Sequence, residues 1–474
     1  MVSNALRHRS PLDSGTKESG SVDGPSVQLY KEVKMKSSPT RRVLLAGAGI
    51  VALALPLAAC SGGGGSSDGK VEISYLTQSD DPNTNQAKAL IAAFEKANPD
   101  ISVKLETQPG GTEGDNLMKT KLSTDSMNDV FHYNSGSLMQ ALNPDQTMVD
   151  LSDEDWVKDL TDDFKAVVST DNGLYGAPWG TSFAGAVLYN KKVYEKLGLE
   201  VPTTWDEFIA NSEKIKAEGG GVAPILQSFG DTWTSQLFVL GDFANVSKVN
   251  PDWAEEYTAN DPKAKYVEEP AFAGFAHGAE VFEKGLLNED FASMTNAQAM
   301  NALAEGTGAQ YPMLSATISQ VQQDNPDLVD DIGVFALPAA DAADTAITMW
   351  QPNAIYIAKS TEGDKLEAAK KFVAFANSEE GCQVQNEGGS IAGPYVTSAC
   401  TLPDDVPGLV NDIQAYFDSG ATGSALEFLS PIKGPNLENI TVAVGSGITP
   451  AEEGAAQYDD DVKKQAQQLG LEGW

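Results

Sequence analysis

The sequence predicts an α/β fold, and three stretches predict it. Val71–Leu76 (VEISYL) alternates like a half-buried strand, and Gln86–Ala97 is an amphipathic helix stopped by Asn98-Pro99. Ile101–Glu106 (ISVKLE) reads as a second strand, and strand–helix–strand at this spacing implies a parallel sheet with helical crossovers. Far down the chain, the strand Ala354–Ala358 and the amphipathic helix Lys365–Asn377 belong to the same class.

The remaining elements follow in order. Leu117–Leu122 lies in a helix, and Asp129–Tyr133 (DVFHY) is a third strand ending in the polar loop Asn134–Ser137. Thr204 and Glu207 form a capping box that starts a helix running to about Ala217. Ala271–Lys284 and Asn296–Glu305 are read as helices and Ile332–Leu337 as a strand. From 451 onward, Ala455, Val462, Ala466 and Leu469 mark a terminal helix. Ligands of open α/β sheets bind beyond the carboxyl ends of strands, so loops 77–85 and 133–137 are expected to face a site.

The N-terminal region carries an address. Lys36, Arg41 and Arg42 precede an apolar run, Val43–Ala59, too short and too rich in small residues for a spanning helix. The run closes on Leu57-Ala58-Ala59-Cys60, which resembles the lipobox of bacterial lipoproteins, in which the cysteine is lipid-modified. The expected division is a signal peptide over 35–59, with lipid on Cys60 and a flexible Gly/Ser linker over 60–70. Residues 1–34 are polar and without periodicity; they are read as a non-translated or disordered extension ahead of a start at Met35.

Removing residues 1–59 sharpens the charge. They hold 8 of the 32 basic and 4 of the 67 acidic residues, leaving 24 against 63, a net charge of −39. All four arginines (Arg7, Arg9, Arg41, Arg42) go with them. So acidic a body repels nucleic acid and anionic lipid, so the lipid anchor is the expected membrane contact. It also lacks the bidentate fork that favours carboxylate and phosphate ligands. Cys382 and Cys400 then remain, 18 positions apart, and in an oxidising compartment are read as a disulfide, the alternative being two buried thiols. With His132 and His277 far from them, no metal cluster and no cofactor is expected.

The stretch 173–208 carries a resemblance. Tyr175-Gly176-Ala177-Pro178, Leu188-Tyr189-Asn190-Lys191 (without a spacer residue), Gly198-Leu199 and Pro202 to Glu207 resemble the extracellular solute-binding proteins of ABC importers, of the family that takes up sugars and oligosaccharides. Ala354 to Cys382 is a second match; Asp125-Ser126-Met127-Asn128-Asp129 departs from the family's Gly-x-x-Pro-Asp. The resemblance implies a two-lobed periplasmic-binding-protein-like fold (type II), with a ligand cleft between lobes joined by hinge crossings near 178–182, 346–353 and 385–393. It assigns 71–178 with 353–386 to lobe 1, and 181–346 with 390–474 to lobe 2. The implied partners are ABC permease subunits, and the protein is expected to be a monomer on the extracellular face of the cytoplasmic membrane, of Gram-positive type.

Sugars offer rings with an apolar face and a girdle of hydroxyls, so a site needs flat aromatics and planar amides or carboxylates. Trp179, Trp233 and Trp350 lie where the family places ligand contacts, and each either stacks on ligand or packs the hinge or core. Trp205, within the capping box, is read as packing the helix start. The polar candidates at strand ends are Gln78, Asp81, Tyr133, Asn134, Gln351 and Asn353, with Tyr311 from lobe 2. Asp80 and Asn83 belong to the same loop. Among rivals, an exported glycosidase needs two opposed carboxylates, yet no nucleophile elbow, metal helix or phosphate loop occurs. A cationic solute such as a polyamine also suits an acidic, aromatic cleft.

Overall fold

A computed structural model describes residues 69–388, 391–404 and 406–474. The expected extension over 1–34, the expected signal sequence, Cys60 and most of the expected linker lie outside these residues.

The chain enters on β1 (Val71–Gln78), crosses by α1 (Asp81–Ala97) to β2 (Ile101–Gln108), and returns by α2 (Gly111–Ser123) to β3 (Val130–Tyr133). The helix α1 starts five residues earlier than its apolar period suggests. Asp80 caps it by accepting from the Asn83 amide, and Pro82 sits in the first turn. The expected loop over 77–85 is therefore only a short bend. After β4 (Gly176–Trp179) the chain leaves for β5 (Phe183–Asn190), α3 (Trp205–Glu218) and β6 (Ala223–Ile225). The reciprocal Thr204/Glu207 capping box at α3 is present. Next come α4 (Ala273–Glu283), α5 (Asn296–Ala304), β7 (Gly308–Leu314), α6 (Ile318–Asp324), β8 (Ile332–Phe335) and β9 (Ile347–Trp350). β10 (Asn353–Ile357) leads to α7 (Gly363–Ala376), α8 (Glu379–Glu387), α9 (Gly408–Ser419), β11 (Thr422–Ser424), α10 (Leu437–Gly445) and α11 (Ala451–Gln468).

These strands make two separate sheets. The first has the order β2-β1-β3-β10-β4, with β1 parallel to β2 and β3 and β10 antiparallel to β3 and β4. The second has the order β11-β9-β5-β7-β6, with β8 also on β5. Each sheet has its own core. Tyr75, Phe94, Phe131 and Phe372 pack the first, while Leu188, Met300, Met313 and Ile347 pack the second. The fold is thus a two-lobed α/β body.

Short crossings join the lobes. Gly180–Ser182 links β4 to β5, and Gln351-Pro352 links β9 to β10. Gly180 has φ +84°, a conformation that L side chains rarely adopt, and its amide donates to Gln385 Oε1 at 2.9 Å. Farther on, Ile391 and Ala392 pack on the second core, whereas Val396 packs on the first. Cys382 and Cys400 are joined there, with Cα atoms 5.5 Å apart.

Candidate functional site

A cleft of about 560 Å³ opens between the carboxyl ends of the first sheet's strands and the facing helices of the second lobe. β1, β2, β3 and β4 each end on it, presenting Gln78, Gln108, Tyr133 and Trp179. Two hydrogen bonds cross its mouth: Asn85 Nδ2 donates to Gln323 Oε1 at 2.8 Å, and Thr112 Oγ1 donates to the Pro435 carbonyl at 3.4 Å.

The three expected tryptophans all line it, in different settings. Trp233 lies in a 3-10 turn, half-buried, with no aromatic partner for its ring among the described residues. Trp350 is buried, stacked 8° from parallel on Phe183, and its indole N–H donates to Glu427. Its ring fills the space over Gly185, where a Cβ would come within 2.2 Å. Trp179 is 5% exposed and packs against Tyr75 and His132, each at 5.9 Å. It is core and cleft wall at once.

Gln78, Tyr133, Asn134 and Asn353 also line the cleft. Asp81, Gln351 and Tyr311 do not. Asp81 is exposed in the first turn of α1, where its neighbours Asp80, Pro82 and Asn83 line the cleft and it does not. Gln351 sits in the β9–β10 crossing beside the cleft rather than on its wall. Tyr311 is fully buried in the second core and donates to Asn296 Oδ1 at 3.1 Å; Asn296 is the residue that faces the cleft. Trp205 packs as the sequence suggests, stacked on His277 at 3.6 Å with its N–H on Glu280.

The wall also holds Gln86, Gln108 and His132, which sequence reading missed. Gln86, Gln108, His132, Ser137 and Trp179 each carry a buried side-chain N or O atom with no partner among the described residues. Buried polar atoms are nearly always paired, so a group of orphans on one wall marks where a ligand's polar groups belong. Gln108 ends a strand, and the strand-end rule would have found it; His132 hides inside the third strand, and Gln86 inside α1. Burial holds His132 low, at about 4, so its ring is neutral where it meets the cleft.

The cleft is also acidic. Five carboxylates line the cleft against Lys119 and Lys433. Tyr133 donates its hydroxyl to Asp115 Oδ1 at 2.8 Å, and Lys433 reaches Glu427 at 3.4 Å. Burial pushes the Asp115 carboxyl up despite Tyr133, with Lys433 and Lys119 opposing and Glu438 reinforcing the shift. Rings for apolar faces, amides and carboxylates for hydroxyls, and an absence of arginine make a site for a polar, uncharged or cationic small molecule.

Two hinged α/β lobes with such a cleft between them define a solute-binding protein. The chain belongs to the bacterial extracellular solute-binding proteins, a family that it matches over residues 80–381. It is 25% identical over 314 residues to the melibiose/raffinose/stachyose-binding protein MelE of Bacillus subtilis, covering 64% of this chain and 68% of that one. It is 24% identical over 338 residues to the multiple sugar-binding protein of Streptococcus mutans, covering 69% and 76%. Among solved structures, a chitin oligosaccharide binding protein superposes with a TM-score of 0.72 at 18% identity, covering 84% of this chain and 99% of that chain. A raffinose complex of the binding protein RafE gives 0.68 at 21% identity, covering 84% and 100%.

Proposed function

We propose that this protein is the substrate-binding component of an ABC importer, taking up a neutral sugar, an oligosaccharide rather than a single ring. The observation that carries the reading is the wall of orphaned polar atoms beside Trp179 in a cleft of about 560 Å³, inside the roughly 300–1,000 Å³ usual for small-molecule sites. Neutral hydroxyls both donate and accept, so one sugar satisfies amides, imidazole and carboxylates together. Relatives named for melibiose, raffinose, stachyose and multiple sugars favour the same ligand class.

In this reading Trp233 stacks on a ring face, while Trp179 and Trp350 wall the cleft. Gln78, Tyr133, Asn134 and Asn353 join the orphan set in binding hydroxyls. Residues 71–178 with 353–386 form one lobe and 181–346 with 390–474 the other, closing about the crossings to present loaded protein to the permease. A lipid on Cys60 tethers the monomer to the extracellular face of the membrane, and a Cys382–Cys400 disulfide fits that compartment.

A thermal-shift screen with melibiose, raffinose, stachyose, chitin oligosaccharides and polyamines tests the reading. A neutral oligosaccharide is expected to raise Tm, since a ligand that binds the folded state stabilises it. A rise with polyamines alone overturns it.

A further inference from the structure

Glu438, on the second lobe's α10, is 7% exposed and lines the cleft. Among the described residues its carboxylate takes no hydrogen bond and no lysine lies within ion-pairing distance: Lys433 is paired with Glu427 instead. Its Oε2 reaches across to the first lobe, where a Cβ on Gly111 would stand 3.3 Å away. The side chain is largely covered, but its oxygens are open to the cleft, so the carboxylate stands at the mouth with its acceptors free for a ligand. On the other wall, the Trp179 indole N–H is buried with no partner among the described residues. The two groups are chemical opposites: an indole only donates and a carboxylate only accepts.

We propose that Glu438 is a specificity-determining residue that reads a pair of neighbouring hydroxyls on the ligand, while Trp179 Nε1 donates to a ligand oxygen from the facing lobe. This deepens the sugar-binding reading and rests on it. A ligand that donates at the Glu438 end and accepts at the Trp179 end lies in the cleft in one direction. Because the two groups belong to different lobes, one ligand holding both ties the lobes together. Occupancy and closure are thereby coupled through this carboxylate.

The test compares wild-type protein with Glu438→Gln, which keeps the side chain's size but not its charge, and with Trp233→Ala. Calorimetry is run with raffinose, stachyose and melibiose, and small-angle scattering follows compaction with the best of them. The expected result is that Glu438→Gln binds about 10- to 100-fold more weakly, the range for losing a charge-assisted pair of hydrogen bonds. At saturating sugar it compacts less than wild type, while Trp233→Ala, though weakened, compacts fully. The Tm of unliganded Glu438→Gln is not lowered, because no protein group loses a partner. Wild-type binding that Glu438→Gln leaves within about threefold overturns the proposal. So does an unliganded Tm several degrees lower, which would give the carboxylate a structural role. If wild type binds none of the three sugars, the sugar reading itself has failed and the proposal falls with it.

Discussion

The Trp350 indole donates to Glu427, and Lys433 holds the other oxygen of the same carboxylate at 3.4 Å. A residue at the end of β9 is thereby fastened to the 3-10 turn at 426–428, on the cleft wall. Glu427→Ala strands a buried N–H and a lysine together, and is expected to cost about 2–3 kcal/mol. Glu427→Gln keeps the acceptor for Trp350 and should cost less. Urea denaturation of the two variants checks the order.

The tryptophans separate by burial. Trp233→Ala removes a half-buried ring with no aromatic partner among the described residues, so ligand affinity is expected to fall with little change in unliganded Tm. Trp179→Ala opens the first core beside Tyr75 and His132 and is expected to cost about 3–5 kcal/mol. Calorimetry and thermal melting of both variants, side by side, check the contrast.

His277 predicts a pH dependence. Burial holds it at about 3, below its ordinary 6.5, as it holds His132 at about 4. The unfolded chain therefore takes up protons first: this contribution to stability is whole above pH 6.5 and is lost as pH falls below it. Asp242 acts oppositely. Burial raises it to about 8, so its contribution is whole below its ordinary 3.8 and is lost as pH rises towards 8. His277→Phe keeps a ring against Trp205 and removes one of the titrating groups. Between pH 6.5 and 4 its stability should fall less steeply than wild type's, by up to about 1.4 kcal/mol per pH unit. Denaturation at several pH values measures the slope.

The Cys382–Cys400 link closes a loop of 18 positions. Reduction, or the Cys382→Ser/Cys400→Ser pair, is expected to remove roughly 3 kcal/mol by the chain-entropy estimate. Melting with and without reductant checks it. An unchanged Tm would mean the pair does not stabilise the protein.

How much of this was legible follows from physics. Strands such as Val71–Gln78 and helices such as Gly363–Ala376 announce themselves because one face is apolar and buried. The two-lobed arrangement was not periodic information; it came from a local pattern around the first crossing. Trp179, Trp233 and Trp350 were legible as cleft residues because they stand beside crossings or in polar turns. Tyr311 was misplaced because its strand is buried on both faces, so its ring lies in the second core, while Asn296 on α5 takes the cleft. Glu438 carried no signal at all. In a chain this acidic, one carboxylate in a helix looks like any other until folding sets it on the cleft wall.

Calorimetric titration of the purified protein with stachyose and raffinose, and with spermidine beside them, tests the central claim most directly. The account predicts one-site binding of a neutral oligosaccharide, with Kd of about 1 μM or tighter and a negative heat-capacity change from the buried ring faces. Heat released with spermidine alone, and none with either sugar, would contradict it.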